Sequence, residues 1–277
     1  MKAFIKKIMT FMEQLSEDHI SAYAAQSAFF LVLSLIPIIL LLLTLIQYTS
    51  VTKADVMTVV YEIFPSSIRT TMVSIINEVY NQSRAVIPLT AFVAIWSAGR
   101  GTLAMTNGLN CVYEQNETRS YIFLRLRAAV YTVLLIIVMA LSLVFLGFGN
   151  TISLWVNQYV PMLEYATEFI IEIRTIVIIG VLIIFSTSIY RFLPNKSKEQ
   201  QRKIKSQIPG AVFTAFGWTI ASFVISIYMD IFKGFSNMYG SLTTIVLIML
   251  WLYFCMYIML IGGEINVLIE KRLDKPN

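Results

Sequence analysis

The chain has 277 residues, of which 57% are apolar and only 13% are charged, and its formal net charge is +5. An ordinary soluble domain is about 45–50% apolar and about 25% charged. This composition therefore argues against a soluble enzyme, a disordered chain and a secreted disulfide scaffold, and it predicts an outer surface that faces lipid. The two cysteines, Cys111 and Cys255, lie far apart and show no spacing typical of a zinc site or a disulfide framework.

Six apolar runs with few or no charges predict six transmembrane helices, because a membrane-spanning helix needs about 20 mostly apolar residues. The predicted spans form a single integral membrane domain and cover about residues 28–48, 85–106, 128–149, 170–192, 207–230 and 241–264. The second span is the least sharply defined, since its charge-free part ends at Gly99 and the helix must continue past Arg100.

The distribution of basic residues predicts the orientation, since Lys and Arg collect in cytoplasmic loops. With six spans and both termini inside, the cytoplasmic segments carry 16 Lys and Arg and the external segments carry 4. Five spans with an external N-terminus would give the same count. Three lysines ahead of the first span favour six spans.

Several segments outside the spans have the apolar stripe of a helix that lies on the membrane surface. The N-terminal arm repeats Phe4, Ile8 and Leu15 at helical spacing, and the first loop has similar stripes on either side of Pro65. Packing of these stripes against the bundle or lipid is the simpler interpretation. Inside the first span, Pro37 removes a backbone donor, so we expect a kink there.

One charged residue stands near the end of each of two predicted spans, and a charge at membrane depth usually faces a partner or water. We hypothesise that Glu264 pairs with Arg100 and gates or lines a polar cavity on the cytoplasmic side. Asn266, Asn107 and Asn110 are the other polar residues expected there. The alternative is that the pair only locks two helices together or contacts headgroups.

Two further groups of charges flank the spans. Arg119, Arg125 and Arg127 precede the third span and could bind a lipid phosphate, since guanidinium groups recognise phosphate well. The alternative for these arginines is an ordinary topology signal. On the external side, Asp230 and Arg174 are expected to form an ion pair across the bundle.

Four sequence patterns stand out along the chain. They are AAQSAFFLVLSLIP at 24–37, WSAGRGTLAMTNGLN at 96–110, YGSLTT at 239–244, and WLYF at 251–254 followed by GGEIN at 262–266. Together they resemble the YihY/BrkB family of bacterial inner-membrane proteins. The resemblance implies a polytopic all-α protein of the bacterial cytoplasmic membrane, loosely described as transporter-like. Gly99 departs from the Ser expected in many relatives, which puts a hydroxyl role at that position in doubt.

The same family has carried a ribonuclease label, which these residues do not support. A metal-dependent nuclease needs several His and carboxylate ligands, and this chain has one histidine, His19. We therefore expect no enzyme activity, no metal or other cofactor and no nucleic-acid partner. The predicted function is a transporter or flippase-like protein that moves a lipid or another envelope amphiphile. A non-transporting scaffold or partner-binding membrane protein is the alternative. The expected partners are membrane lipids, and homo-oligomerisation stays open.

Overall fold

The computed structural model describes residues 2–46, 52–63, 87–135, 138, 164–195, 204–231 and 241–273, with scattered positions between 69 and 80. In these ranges every regular element is a helix, which confirms the predicted all-α class. The helices are α1 (Lys2–Glu17), α2 (Ile20–Ile46), α3 (Lys53–Ile63), α4 (Ile87–Val112), α5 (121–135), α6 (Glu164–Phe192), α7 (Ile204–Ile231) and α8 (Ser241–Leu273).

The long helices coincide with the predicted apolar runs but extend beyond them. Helix α2 begins eight residues before the predicted span, at Ile20, and α8 continues to Leu273. Among the described residues, two stretches are long and apolar enough to cross a membrane, Ile204–Ile225 and Ile245–Lys271, and Ile20–Ser34 and Ile176–Phe192 are shorter apolar helices. The third predicted span lies largely outside the described residues, so the number of spans stays a prediction.

The predicted helices of the N-terminal arm and of the first loop before Pro65 correspond to α1 and α3. The predicted helix after Pro65 lies largely outside the described residues. A turn at Asp18 and His19 separates α1 from α2, and His19 has a positive φ of 50°. This left-handed backbone conformation interrupts the helix, so α1 and α2 are separate elements.

Helix α8 is the centre of the assembly and packs against α7, α2 and α4, while α2 also packs on α4 and α6 on α7. The crossing of α7 and α8 is unusually close. A Cβ atom on Gly210 would collide with the carbonyl oxygen of Gly262, and one on Gly262 would collide with the hydroxyl groups of Tyr190 and Thr214. Two glycines therefore allow direct backbone contact between these helices, as is common in membrane bundles.

Close contacts set the relative directions of the helices. Gly108 of α4 meets Tyr23 near the start of α2 and Leu260 near the end of α8. Gly263 meets residues at the end of α4. The start of α2, the ends of α4 and α6, the start of α7 and the last turns of α8 thus share one end of the bundle, here named the polar end. The second loop, the fourth loop and the tail, all predicted to be cytoplasmic, begin at this end.

The outward surfaces of the helices are apolar. Large exposed hydrophobic side chains follow one another along α7 and α6; examples are Phe213, Phe216, Ile220, Phe223, Ile176 and Ile184. A soluble protein rarely exposes such a continuous apolar face. The surface is the one expected of a protein surrounded by lipid, in agreement with the composition.

Two predictions concern side chains outside the described residues. Helix α2 runs through position 37 from Ile20 to Ile46, but the side chains at positions 35–46 are not described, so the expected kink at Pro37 stays a prediction. Likewise, Arg174 and Asp230 belong to α6 and α7, while their side chains and the predicted ion pair lie outside the described residues.

Candidate functional site

Glu264 is the most unusual polar residue of the polar end. Its side chain is completely buried, at 0% exposure, within the apolar helix α8. Neither carboxyl oxygen has a hydrogen-bond partner among the described residues. A buried polar group without a partner costs free energy, and an unpaired charge costs more. We therefore expect the Glu264 carboxyl either to bind a ligand or to carry a proton.

The side chain that faces Glu264 is another carboxyl group. Asp18, in the turn between α1 and α2, lies within hydrogen-bonding reach of Glu264 and accepts a hydrogen bond from the Cys111 thiol at 3.8 Å. Partial burial is the main cause that raises the pKa of Asp18 above its ordinary value. Three separate parts of the chain thus converge on one acidic site.

The packing of α8 on α4 places Glu264 beside the last turn of α4. A Cβ atom on Gly263 would lie 3.1 Å from Leu109 and 3.5 Å from Val112, so the absence of a side chain brings α8 against the last turn of α4. Outside the acidic site, Lys271 forms an exposed ion pair with Glu114 at 2.7 Å.

The predicted pair between Arg100 and Glu264 does not form. Arg100 is exposed and lies over the ring of Phe30 at 5.5 Å, and among the described residues no guanidinium group bonds to Glu264. The register of the helices explains this correction. Glu264 stands level with Cys111, and Arg100 precedes Cys111 by 11 positions, which is about 16 Å along a helix.

Asn266 joins two helices. Its side-chain oxygen accepts a hydrogen bond from the Gly210 amide at 2.7 Å, and its amide nitrogen donates to Gln207 at 3.4 Å. Both partners belong to α7, so Asn266 holds α7 against α8 at the glycine crossing. Asn266 therefore has a structural role in helix packing.

Sequence reasoning missed the polar network that continues from Asn266. The Tyr113 hydroxyl donates to Gln207 at 2.7 Å, and Gln207 donates to Glu270 at 2.8 Å. Ser206 also donates to Glu270, at 2.6 Å. The spacing of Asn266 and Glu270 along α8 was the available signal, because residues four apart are neighbours on the same face of a helix.

Asn110 belongs to a second polar cluster. Its side chain donates to Glu117 at 2.8 Å and accepts from the Asn195 amide at 2.7 Å. Arg119 binds Glu117 through two nitrogens, at 2.6 and 2.7 Å, and donates to the Leu193 carbonyl. We name Asn110, Glu117, Arg119 and Asn195 the loop clamp, because they tie the loop after α4 to the end of α6.

The loop clamp also determines the ionisation of Glu117. Partial burial disfavours the charged carboxylate, but hydrogen bonds from Arg119 and Asn110 outweigh that effect and hold the pKa at about 2. Asn107, by contrast, is exposed on α4. The five residues predicted to line one cavity are therefore divided among several environments.

The three arginines predicted to bind phosphate are also divided. Arg119 is engaged in the loop clamp, and Arg127 lies on the side of α5 that faces it. Arg125 is buried on the opposite side, since residues two apart on a helix point in nearly opposite directions. Its guanidinium group lies 4.7 Å from the ring of Trp96 and donates to the Trp96 carbonyl at 2.6 Å.

Arg100 lies near enough to Arg125 for the two positive charges to repel. Gly99 makes this possible, because a Cβ atom there would lie 3.3 Å from the Arg125 carbonyl where α5 crosses α4. A bond of 2.5 Å between the hydroxyls of Thr102 and Thr132 completes that crossing. In the described ranges no carboxylate pairs with either arginine.

No cluster of three or more His, Cys, Asp or Glu residues suited to a metal ion occurs in the described part of the chain. The acidic site at Glu264 is thus a carboxyl pair with a neighbouring thiol.

Comparison with known proteins places these features in a family. The family model described as virulence factor BrkB matches residues 11–277. The chain belongs to the BrkB family. This confirms the resemblance inferred from the four sequence patterns.

Curated relatives agree with membership of this family. The ribonuclease-like protein YfkH of Bacillus subtilis (strain 168) is 31% identical over 255 residues, which cover 92% of this chain and 91% of YfkH. The UPF0761 membrane protein IL2447 of Idiomarina loihiensis is 26% identical over 178 residues, or 62% of this chain and 58% of that protein. No solved structure shows significant similarity to the chain. This BrkB-family chain is therefore a helical membrane protein.

Proposed function

We propose that this membrane protein is a transporter-like or flippase-like protein that moves an anionic lipid or another anionic amphiphile of the bacterial envelope. It would lie in the cytoplasmic membrane with six spans and with the polar end, including both termini, in the cytoplasm. The excess of Lys and Arg in the segments that begin at the polar end supports this orientation.

The observation that carries the proposal is the arginine pair beside an exposed aromatic surface. Arg100 lies within electrostatic range of Arg125. Among the described residues neither arginine has a carboxylate partner, and the buried Nε of Arg125 has no hydrogen-bond partner. Two adjacent guanidinium groups repel each other, and an anion between them removes that repulsion. Guanidinium groups are also the preferred side chains for binding phosphate.

The surroundings of the arginine pair suit the apolar part of an amphiphile. Trp96 is exposed and stacks on Phe92, and Tyr121 lies against its edge. Ile122 and Leu126, on the outward side of α5, are exposed as well. An anionic headgroup held by the arginines would leave its acyl chain on this apolar surface, which supports a lipid-like ligand over a small soluble anion.

Reconstitution into vesicles tests the proposal. Fluorescent analogues of anionic and zwitterionic lipids are followed across the bilayer, with and without an ion gradient, for the wild type and for the Arg100→Gln/Arg125→Gln double variant. We expect faster movement of the anionic analogue with the wild type and at least a tenfold loss in the double variant. Arg191→Gln is the matched control, because Arg191 also lies over an aromatic ring, that of Phe192, at 5.4 Å.

The outcome also separates this function from that of a non-transporting scaffold. No movement of any envelope lipid under either condition would overturn the proposal. A double variant that changes only assembly or stability, with lipid movement equal to that of the control, would favour the scaffold.

A further inference from the structure

The acidic site at the polar end has no role in the proposed binding of an amphiphile. Glu264 is completely buried in α8 and both of its oxygens lack a partner in the described part of the chain. Burial strongly disfavours an ionised carboxylate in that position. Ionisable residues in membrane helices usually face a partner or water and mark substrate, ion or proton sites.

The neighbouring Asp18 indicates which ligand the site takes. Two ionised carboxylates in contact repel each other, and each offers only acceptor atoms. One proton placed between them turns the contact into a short, charge-assisted hydrogen bond. The Cys111 thiol, 3.8 Å from Asp18, supplies an additional weak donor to the same group.

The groups around the pair fit a proton better than a metal cation. A hard cation such as Ca²⁺ takes about 6–8 oxygen ligands, whereas this site offers two carboxyl groups and one thiol. Among the described residues, Lys271 and Glu114 are the other charged groups that act on the pair, and they bind each other at 2.7 Å. From α6, the Tyr190 ring lies near Gly263, but its hydroxyl donates to the Met259 carbonyl at 2.7 Å.

We propose that Asp18 and Glu264 form a proton-binding site in which a single proton bridges the two carboxyl groups. Asp18 is partly exposed in the turn between α1 and α2 and Glu264 lies buried behind it. The proton therefore enters from the polar end through Asp18. Its loss leaves two facing negative charges, which pushes the α1–α2 turn away from α8. This inference does not depend on the movement of an amphiphile.

Infrared difference spectroscopy of the purified full-length protein in lipid nanodiscs tests the site. The wild type should show a protonated-carboxyl C=O band at neutral pH that disappears when the pH is raised. Glu264→Gln should remove this band. In Asp18→Asn the buried Glu264 has no carboxylate acceptor for its proton, so the band should shift to the frequency of an isolated carboxylic acid and titrate at a lower pH. Glu114→Gln is the matched control and should keep it.

Three results would overturn the proposal. They are a wild type without the band, an Asp18→Asn band with the same frequency and pH titration as the wild type, and a band that is removed at constant pH by millimolar Na⁺ or Ca²⁺, which would indicate a cation site. If Glu264→Gln does not fold, Asp18→Asn still decides the question, since Asp18 lies in a partly exposed turn. Lipid movement is measured separately, so failure of the proton site leaves the proposed transport function open to its own test.

Discussion

Two polar clusters lie at the same end of the bundle and differ in how well their groups are satisfied. In the loop clamp, Asn110, Glu117, Arg119 and Asn195 each have protein partners at hydrogen-bonding distance. In the acidic site, Glu264 has none among the described residues and faces another acceptor. The satisfied cluster holds elements together, whereas the unsatisfied one requires a ligand that the protein does not supply. Both clusters contain carboxyl groups at the same end of the bundle, so only their hydrogen-bond partners distinguish the structural cluster from the candidate binding site.

The largest effect on stability is expected from the centre of the loop clamp. Asn110→Ala removes two hydrogen bonds and leaves the Asn195 amide without its acceptor, so we expect a loss of about 2–3 kcal/mol at about 1–1.5 kcal/mol per bond. Thermal unfolding in detergent measures it. Asn107→Ala, at an exposed position of the same helix, is the control and should change stability by less than about 0.5 kcal/mol. Equal effects of the two variants would contradict the clamp.

The ionisation of Glu117 predicts acid sensitivity of the same cluster. Its pKa is lowered from 4.5 to about 2 in the folded protein. A lowered folded-state pKa stabilises the protein above the unfolded pKa, and that contribution is lost as the pH falls from about 4.5 through about 2. Since Glu117 is partly exposed, solvent screening reduces the contribution to about 1 kcal/mol. Unfolding measured across this pH range should show a smaller loss for Glu117→Gln than for the wild type.

In the acidic site, unlike in the loop clamp, a substitution should cost little stability. Glu264→Gln removes no protein hydrogen bond and replaces an ionisable group with a neutral one of the same shape. We therefore expect the variant to be within about 1 kcal/mol of the wild type, because the Gln amide can donate to Asp18 in place of the shared proton and carries no charge into the buried position. A loss above about 2 kcal/mol in detergent would mean that Glu264 has a structural partner.

The smallest effect is expected at the rim of the acidic site. Lys271→Gln breaks an ion pair with Glu114 whose side chains are 51% and 70% exposed. Exposed ion pairs contribute little in water, so the unfolding free energy should change by less than about 0.5 kcal/mol. A larger change, when compared at low and high salt, would show that this pair belongs to the buried site.

Much of the helical architecture was predictable, because each helix depends on its own run of residues. The apolar runs predicted helices where α2, α4, α6, α7 and α8 occur, and the amphipathic arm predicted α1. The family was predictable for a similar reason, since its patterns are local. The number of spans is a different matter, because the third predicted span lies largely beyond the described residues.

The site was predictable only in part. Glu264 stood out as a carboxyl group near the end of an apolar run, but its partner did not. Arg100 was the expected partner because both residues were placed towards the same membrane face, and the contact between α4 and α8 instead brings Cys111 level with Glu264. Asp18 was not singled out at all, since it belongs to an arm whose contacts with the bundle have no local signal.

The sequence by itself therefore determined the membrane environment, the helical class, the family and the segments that share the polar end. These depend on composition and on interactions within short segments. Only the tertiary structure decided which charges meet, because the register of packed helices is set by close contacts such as those of Gly210 with Gly262 and of Gly263 with α4. A shift of α8 by one helical turn, about 5.4 Å, would bring different residues of α4 and α7 opposite its polar side chains.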